Sequence, residues 1–193
     1  LYTIGRNLKV GFEQQKQNLK NVHESNLYQE GQCHSHKKLI LINSKAPAFT
    51  SPSTSKNNYS LKDSFGKYVV LYFYPKDDTP GCTIETNEFN KLLPKFKKLE
   101  CEVYGISKDG LKSHDKFRDK YKIKFDLIAD EELKVLKKYK VWQKKKFMGK
   151  EFMGIVRTTY LLDKKGQILK VWNNVKAKDH AIEVLETLKS IVK

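Results

Sequence analysis

Hydrophobic and polar positions divide the chain near residue 45. Residues 1–44 are polar, rich in Asn, Gln and Lys, and hold no sustained helical or strand period. Such a stretch cannot offset its ordering entropy by burial and is expected to be a disordered extension. From residue 45 onward the pattern turns regular. Ala46-Pro47-Ala48-Phe49 and Tyr59-Ser60-Leu61 flank a Ser/Pro/Asn-rich turn and predict a short β-hairpin. Tyr68–Tyr74 is a continuous apolar, β-prone run, the mark of a strand buried on both faces. After it, Ile84, Phe89, Leu92, Leu93, Phe96 and Leu99 form one stripe of a helix, which Pro94 is expected to kink or split.

Further along, strands are predicted over Glu102–Ile106 and Phe125–Ala129, and helices over Ser113–Tyr121 and Glu131–Tyr139. Ile155–Leu162 and Ile168–Trp172 bracket Asp163-Lys164-Lys165-Gly166, a hairpin turn ending in glycine. A last amphipathic helix carries Ala181, Ile182, Leu185, Leu188 and Ile191. Strands alternating with helices predict an α/β domain over residues 45–193, with a mixed central sheet and helices on both faces.

Composition narrows the function. No apolar run approaches the ~18 residues of a membrane span, so a soluble, intracellular protein is expected. Three scattered cysteines, Cys33, Cys82 and Cys101, cannot staple a secreted scaffold and point to reduced thiols. The chain begins at Leu1 without methionine, which suggests processing or truncation. Import into an organelle is one reading of residues 1–44, although Glu13, Glu24 and Glu30 sit badly in a transit peptide. A net charge of +16 favours polyanions non-specifically and leaves a nuclear location open.

The chemistry gathers where the first buried strand hands over to its helix. Thr79 suits the N-cap, Pro80 the first helical position, and Cys82 then occupies the third, where a capping box carries an acid. A thiolate there faces unpaired backbone N–H groups and the positive end of the helix dipole, which favours the reactive anion. The turn also lies at the carboxyl end of a strand, where ligands of α/β sheets collect.

Pro75-x-x-x-Thr79-x-x-Cys82 resembles the active-site motif of peroxiredoxins, and Tyr72–Thr83 as a whole is most like their Q-type subgroup, the bacterioferritin comigratory proteins. The resemblance continues through Val103–Ser107, Val141-Trp142, Lys146–Glu151 and Gly154–Asp163, and so covers residues 45–193. It implies a thioredoxin-like fold and a thiol-dependent peroxidase needing no cofactor or metal. In it, the Cys82 thiolate attacks hydrogen peroxide or an organic hydroperoxide and becomes a sulfenic acid. The resemblance further implies that Thr79 bonds peroxide and thiolate, that Pro75 shields the site, and that Arg157, on the late strand, holds the thiolate. Independently of the resemblance, a guanidinium beside a thiolate stabilises the anion. Glu85, one turn after Cys82, is expected to orient Arg157.

Many Q-type members resolve the sulfenic acid with a cysteine five residues on, and here that position is Asn87; others place it near Arg118. Cys101 begins a strand parallel to the first, at the end away from Cys82. Six residues of strand put it about 20 Å away, while a disulfide needs Cα atoms within about 7 Å. Cys33, on the N-terminal extension, is the alternative resolving thiol. The first expectation is a one-cysteine mechanism with an external reductant (thioredoxin, glutaredoxin or glutathione) in a monomer or weak dimer.

Other features carry less. Cys33-His34-Ser35-His36 supplies only three ligands within four residues and no second cluster, so no metal site is expected. Lys137, Lys138, Lys140, Lys144, Lys145, Lys146 and Lys150, interleaved with Tyr139, Trp142 and Phe147, read as a solvated basic face. Trp142 is expected to wall the pocket or anchor a loop. The rival reading is a polyanion- or chromatin-associated redox protein whose peroxidase activity is secondary, binding nucleic acid through that face. A second rival, a thioredoxin-type disulfide oxidoreductase, would want Cys-x-x-Cys, but Glu85 stands where the second cysteine belongs.

Overall fold

The computed structural model describes residues 42–55, 58–147 and 149–192. Most of the N-terminal extension, with Cys33 and the Cys33–His36 cluster, lies outside the described residues. Chain order gives β1 (Thr50–Ser51), β2 (Tyr59–Ser60), a 3₁₀ turn (Leu61–Ser64), β3 (Tyr68–Phe73), α1 (Pro80–Lys98), β4 (Cys101–Ser107) and α2 (Leu111–Tyr121). Then follow β5 (Leu127–Ala129), α3 (Lys134–Lys138), β6 (Trp142–Phe147), β7 (Lys150–Ile155), β8 (Thr158–Leu162), β9 (Ile168–Trp172) and α4 (His180–Val192).

The central sheet has the order β5-β4-β3-β8-β9, with β3, β4 and β5 parallel and β8 and β9 antiparallel. Because side chains alternate along a strand, β3 feeds two cores. Val70 and Tyr72 pack with Phe89, Leu93 and Phe96 of α1 and with Val184, Leu185 and Leu188 of α4. Val69, Leu71 and Phe73 pack on the other face with Val135 and Leu136 of α3 and with Phe49 and Tyr139. The fold is thus the expected thioredoxin-like α/β arrangement, with helices on both faces.

Both sheet edges are covered, as edge strands require. Thr54 N donates to Leu127 O (3.1 Å) and Ala129 N to Pro52 O (2.9 Å), closing the β5 edge. Asn43 N donates to Ile168 O (2.8 Å) and Ile168 N to Ser44 O (2.9 Å), closing the β9 edge. Among the described residues, Asn43 and Ser44 thus pair with the sheet. In the β8–β9 turn, Gly166 has φ +77°, and a Cβ there would stand 2.7 Å from the Phe65 ring. Backbone and space both demand glycine.

Several expectations need correction. Pro94 does not split α1: it is exposed, on the side where water can take the Asn90 carbonyl that proline cannot bond. Ile84, Ile182 and Ile191 lie on exposed faces, not in the core. The Ala46–Phe49 run is irregular, and the hairpin ahead of β3 has only two residues per strand. The helix expected over Glu131–Tyr139 shrinks to α3, because Leu133 sits in the left-handed region (φ 59°) and Asp130 carboxylate oxygens take the Lys134 and Leu136 amides at 2.9 and 2.7 Å. The strand expected over Ile155–Leu162 is broken at Val156–Arg157. Its first residue ends a separate hairpin, β6–β7, in which Trp142 faces Ile155 and Phe147 faces Lys150. The basic run is thus partly a β-ribbon, with Lys144, Lys146 and Lys150 exposed, while Trp142 anchors its base beneath Lys108.

Candidate active site

The link from β3 to α1 builds the site. Tyr74 N donates to Ile106 O (3.1 Å), which extends the β3–β4 pairing to the edge of the loop Pro75–Thr79. Pro75 and Thr79 are half-buried. Thr79 holds the N-cap position with Pro80 first in the helix, as expected, but its hydroxyl does not cap. It donates instead to Lys76 O (3.1 Å), while the Thr79 carbonyl accepts the first helical bond from Thr83 N (2.8 Å).

The loop is strapped to α2, which local sequence does not reveal. The Asp77 carboxylate accepts from Tyr74 Oη (2.7 Å) and Ser113 Oγ (2.7 Å) and pairs with His114 Nδ1 (2.9 Å). Burial pushes the Asp77 carboxyl up, but His114, Tyr74 and Ser113 outweigh it and hold it below its usual value. The Asp77 amide donates to Asp109 Oδ2 (2.8 Å). Asp78, at φ 53°, accepts from Lys120 Nζ (2.7 Å) and Tyr121 Oη (2.6 Å). Two successive acids thus fix the loop from opposite ends of one helix, and the left-handed Asp78 turns the chain into α1.

Cys82 lies in the first turn of α1 and is 1% exposed. Arg157 Nη2 donates to its Sγ at 3.2 Å, and Arg157 Nη1 forms an ion pair with Glu85 Oε2. Arg157 does not lie on a strand, as expected, but in the break between β7 and β8. That break aims it: Val156 N donates to Val141 O (2.8 Å) and Val175 N donates to Arg157 O (3.0 Å), so both sides of the backbone are held. A Cβ on Gly81 would stand 3.5 Å from Nη2, so the guanidinium lies against the first turn of the helix. Burial works against the Arg157 cation, but Glu85 and Cys82 outweigh it and hold its proton more tightly than usual. Glu85 is fully buried; burial, aided by Glu88, pushes its carboxyl up to about 7 against the pull of Arg157.

The remaining thiols differ. Cys101 pairs with Tyr68 at the opposite end of the β3–β4 ladder from Cys82, as expected, and burial pushes its thiol strongly up. Beneath α1, Tyr72 Oη bonds Thr86 Oγ1 (3.0 Å), and its ring stacks on Phe89 at 4.8 Å. Gly105 is required there, since a Cβ on it would stand 2.6 Å from Tyr72 Oη. Behind Arg157, His180 Nε2 bonds Thr159 Oγ1 (2.8 Å), and burial pushes its imidazole down to about 4. Among the described residues, no cluster of His, Cys, Asp and Glu could hold a metal ion, and no helix is long and apolar enough to cross a membrane.

Comparison with known proteins identifies the family. The AhpC/TSA family profile matches residues 42–171. Peroxiredoxin Bcp of Bacillus subtilis is 44% identical over 152 residues, spanning 79% of this chain and 97% of that protein. A putative peroxiredoxin bcp of Helicobacter pylori is 44% identical over 143 residues, spanning 74% and 94%. Among solved structures, the bacterioferritin comigratory protein of Xanthomonas campestris, described for its alkyl peroxide reduction activity, superposes with a TM-score of 0.72 at 38% identity, covering 75% of this chain and 92% of that one. A cysteine mutant of Xylella fastidiosa PrxQ gives 0.73 at 34% identity, covering 84% and 100%. The chain belongs to the AhpC/TSA family, among the peroxiredoxins of the Bcp/PrxQ kind, and is a thiol-dependent peroxidase.

Proposed function

We propose that Cys82 is the attacking thiolate and that the substrates include hydrogen peroxide and alkyl hydroperoxides. The observation that carries this reading is the Arg157 fork, with one nitrogen on Cys82 Sγ at 3.2 Å and the other on Glu85. A fixed guanidinium stabilises the thiolate and leaves donors for the peroxide oxygens as charge moves onto them. The thiolate attacks the terminal peroxide oxygen, the O–O bond breaks, and Cys82 becomes a sulfenic acid. The Thr79 hydroxyl spends its proton on Lys76 O, so toward substrate it acts as an acceptor, suited to the O–H of a hydroperoxide. Pro75 supplies an apolar wall that offers no donor of its own. The Xanthomonas relative, described for alkyl peroxide reduction, supports alkyl hydroperoxides as substrates.

The sulfenic acid is returned to thiol by an external thiol of the thioredoxin, glutaredoxin or glutathione class. Asn87 and Arg118 stand where the resemblance to the Q-type subgroup implies a resolving cysteine, and Cys101 lies at the far end of β4. The test is peroxide consumption with each reductant by wild type, Cys82→Ser and Cys33→Ser. Cys82→Ser is expected to be inactive and Cys33→Ser to turn over normally. Loss of turnover in Cys33→Ser, with a Cys33–Cys82 disulfide in the oxidised wild type, would replace the external thiol by Cys33 as the resolving group.

A further inference from the structure

Charge balance at the buried trio Cys82–Arg157–Glu85 carries one more step. Glu85 is fully buried; its Oε2 is on Arg157, and its Oε1 has no hydrogen-bond partner among the described residues. Three residues on, Glu88 Oε1 accepts the Asp179 amide at 2.9 Å, while its Oε2 is buried and likewise without a partner among the described residues. Residues three apart share one side of a helix. Two ionised carboxylates there can only accept and can only repel. A proton on one of them turns that oxygen into a donor.

With Cys82 as a thiol, the Arg157 cation and the Glu85 anion cancel. With Cys82 as a thiolate, the same trio holds one uncompensated negative charge, and burying such a charge is strongly unfavourable. Neutrality returns if one proton resides on Glu85.

We propose that Glu85 is the proton store of the peroxidase reaction, holding the proton that leaves Cys82 and surrendering it when the O–O bond breaks. This rests on the reading of Cys82 as the attacking thiolate. In the step, Cys82 S⁻ attacks the terminal oxygen of R–O–O–H. The S–O bond forms, the O–O bond breaks, and its electron pair leaves on RO⁻. Sulfur is oxidised to the sulfenic acid and the peroxide is reduced to ROH, completed by the proton from Glu85. What remains is a neutral Cys82–SOH beside an Arg157–Glu85 ion pair, so the buried trio is neutral before and after. Arg157 has a nitrogen on each partner and bridges the two ends of the transfer.

Of the two buried carboxyls on this side of the helix, Glu85 is the one that Arg157 bridges to Cys82. From α1 itself it is faced by Glu88, from the β7–β8 link by Arg157, which joins it to Cys82, and from β3 by the phenol of Tyr72. From α4, His180 senses Arg157, but burial keeps it neutral near pH 7. The upward push of burial on Glu85 accords with a proton held there at neutral pH.

The test pairs infrared spectroscopy of the carboxyl C=O stretch with thiolate absorbance at a fixed near-neutral pH, on the full chain. Reduced wild type is expected to show a buried protonated-carboxyl band that shifts in D₂O and disappears on oxidation by one equivalent of hydroperoxide. Glu85→Gln should lack the band. It should leave the pH midpoint of Cys82 thiolate formation within a few tenths of a unit of wild type, because the neutral amide stands in for the protonated carboxyl and the charge change of the trio is the same. If Glu85 is ionised beside Cys82 and holds no proton, removing its charge lowers the midpoint by about one unit or more, and if it only positions Arg157 the midpoint rises; either result overturns the proposal. Cys82→Ser gives an independent check should Glu85→Gln fold poorly. It keeps Glu85 but removes the thiolate, so the band should vanish; a band that persists there overturns the proposal. Peroxidase activity surviving in Cys82→Ser would overturn the Cys82 reading and the proton store with it. An inactive Cys82→Ser with no Glu85 band in wild type overturns the proton store alone.

Discussion

Replacing Arg157 by lysine keeps the positive charge and removes the fork. The fork is what the structure uses: Nη1 holds buried Glu85 while Nη2 holds Cys82 Sγ at 3.2 Å. A lysine carries one ammonium at the end of a flexible stem, so it can hold Glu85 or the thiolate but cannot fix both in one geometry. Alanine would be a poor probe, because it leaves buried Glu85 without its hydrogen-bonding partner beside an empty space, at a cost of about 1–3 kcal/mol of stability. With lysine the expected loss is one charge-assisted hydrogen bond, about 1.5–3 kcal/mol. At 1.4 kcal/mol per tenfold, the second-order rate of peroxide attack should fall roughly 10- to 100-fold. Stopped-flow mixing of the reduced variant with hydroperoxide measures that rate directly, with thermal denaturation as a check on the fold. A lysine variant that folds and reacts within about twofold of wild type would refute the reasoning, since the fork would then contribute nothing to the transition state.

Other perturbations read separate parts of the structure. His180 has its imidazole pushed from 6.5 down to about 4 by burial, so the unfolded chain binds a proton that the folded one refuses; stability should fall as pH drops from about 6.5 toward 4. Denaturant midpoints across that range should show a flatter slope in His180→Gln. Glu85 works with the opposite sign: its folded pKa is raised from 4.5 to about 7, so its ionisation erodes stability as pH rises through that interval, and Glu85→Gln should remove that erosion. Gly105→Ala forces a Cβ to within 2.6 Å of Tyr72 Oη and should cost about 1–3 kcal/mol by urea unfolding. Asp77→Asn weakens the clamp on the active-site loop, and peroxide attack should slow while Cys101 stays unreactive toward a thiol reagent in the folded state.

What the sequence disclosed follows from how local each signal is. The buried run Tyr68–Tyr74, the Thr79-Pro80 helix start and the Asp163–Gly166 turn each sit within a few residues, and all three stand where expected. Cys101 at the remote end of β4 followed from strand direction alone. The β6–β7 ribbon escaped because Lys144, Lys145 and Lys146 erase its alternation, leaving Trp142 and the turn at Gly149 as faint marks. Arg157 carried a recognisable context but not its true position, since the break at Val156–Arg157 is made by partners at Val141 and Val175. The clamp on the loop was invisible for the same reason. Asp77 and Asp78 look like loop polarity until the fold brings His114 and Tyr121 to them from 37 and 43 residues away. Pro94 misled because a proline's effect depends on which side of the helix it faces.

The central claim is that peroxide oxidises Cys82 and no other thiol first. Reduced full-length protein mixed with one equivalent of hydroperoxide in the presence of a sulfenic-acid trap, then digested and analysed by mass spectrometry, tests it most directly. The account expects the trapped adduct on the peptide carrying Cys82, with Cys33 and Cys101 unmodified at that dose. An adduct that forms first on Cys33 or Cys101, with Cys82 left as a thiol, would contradict it.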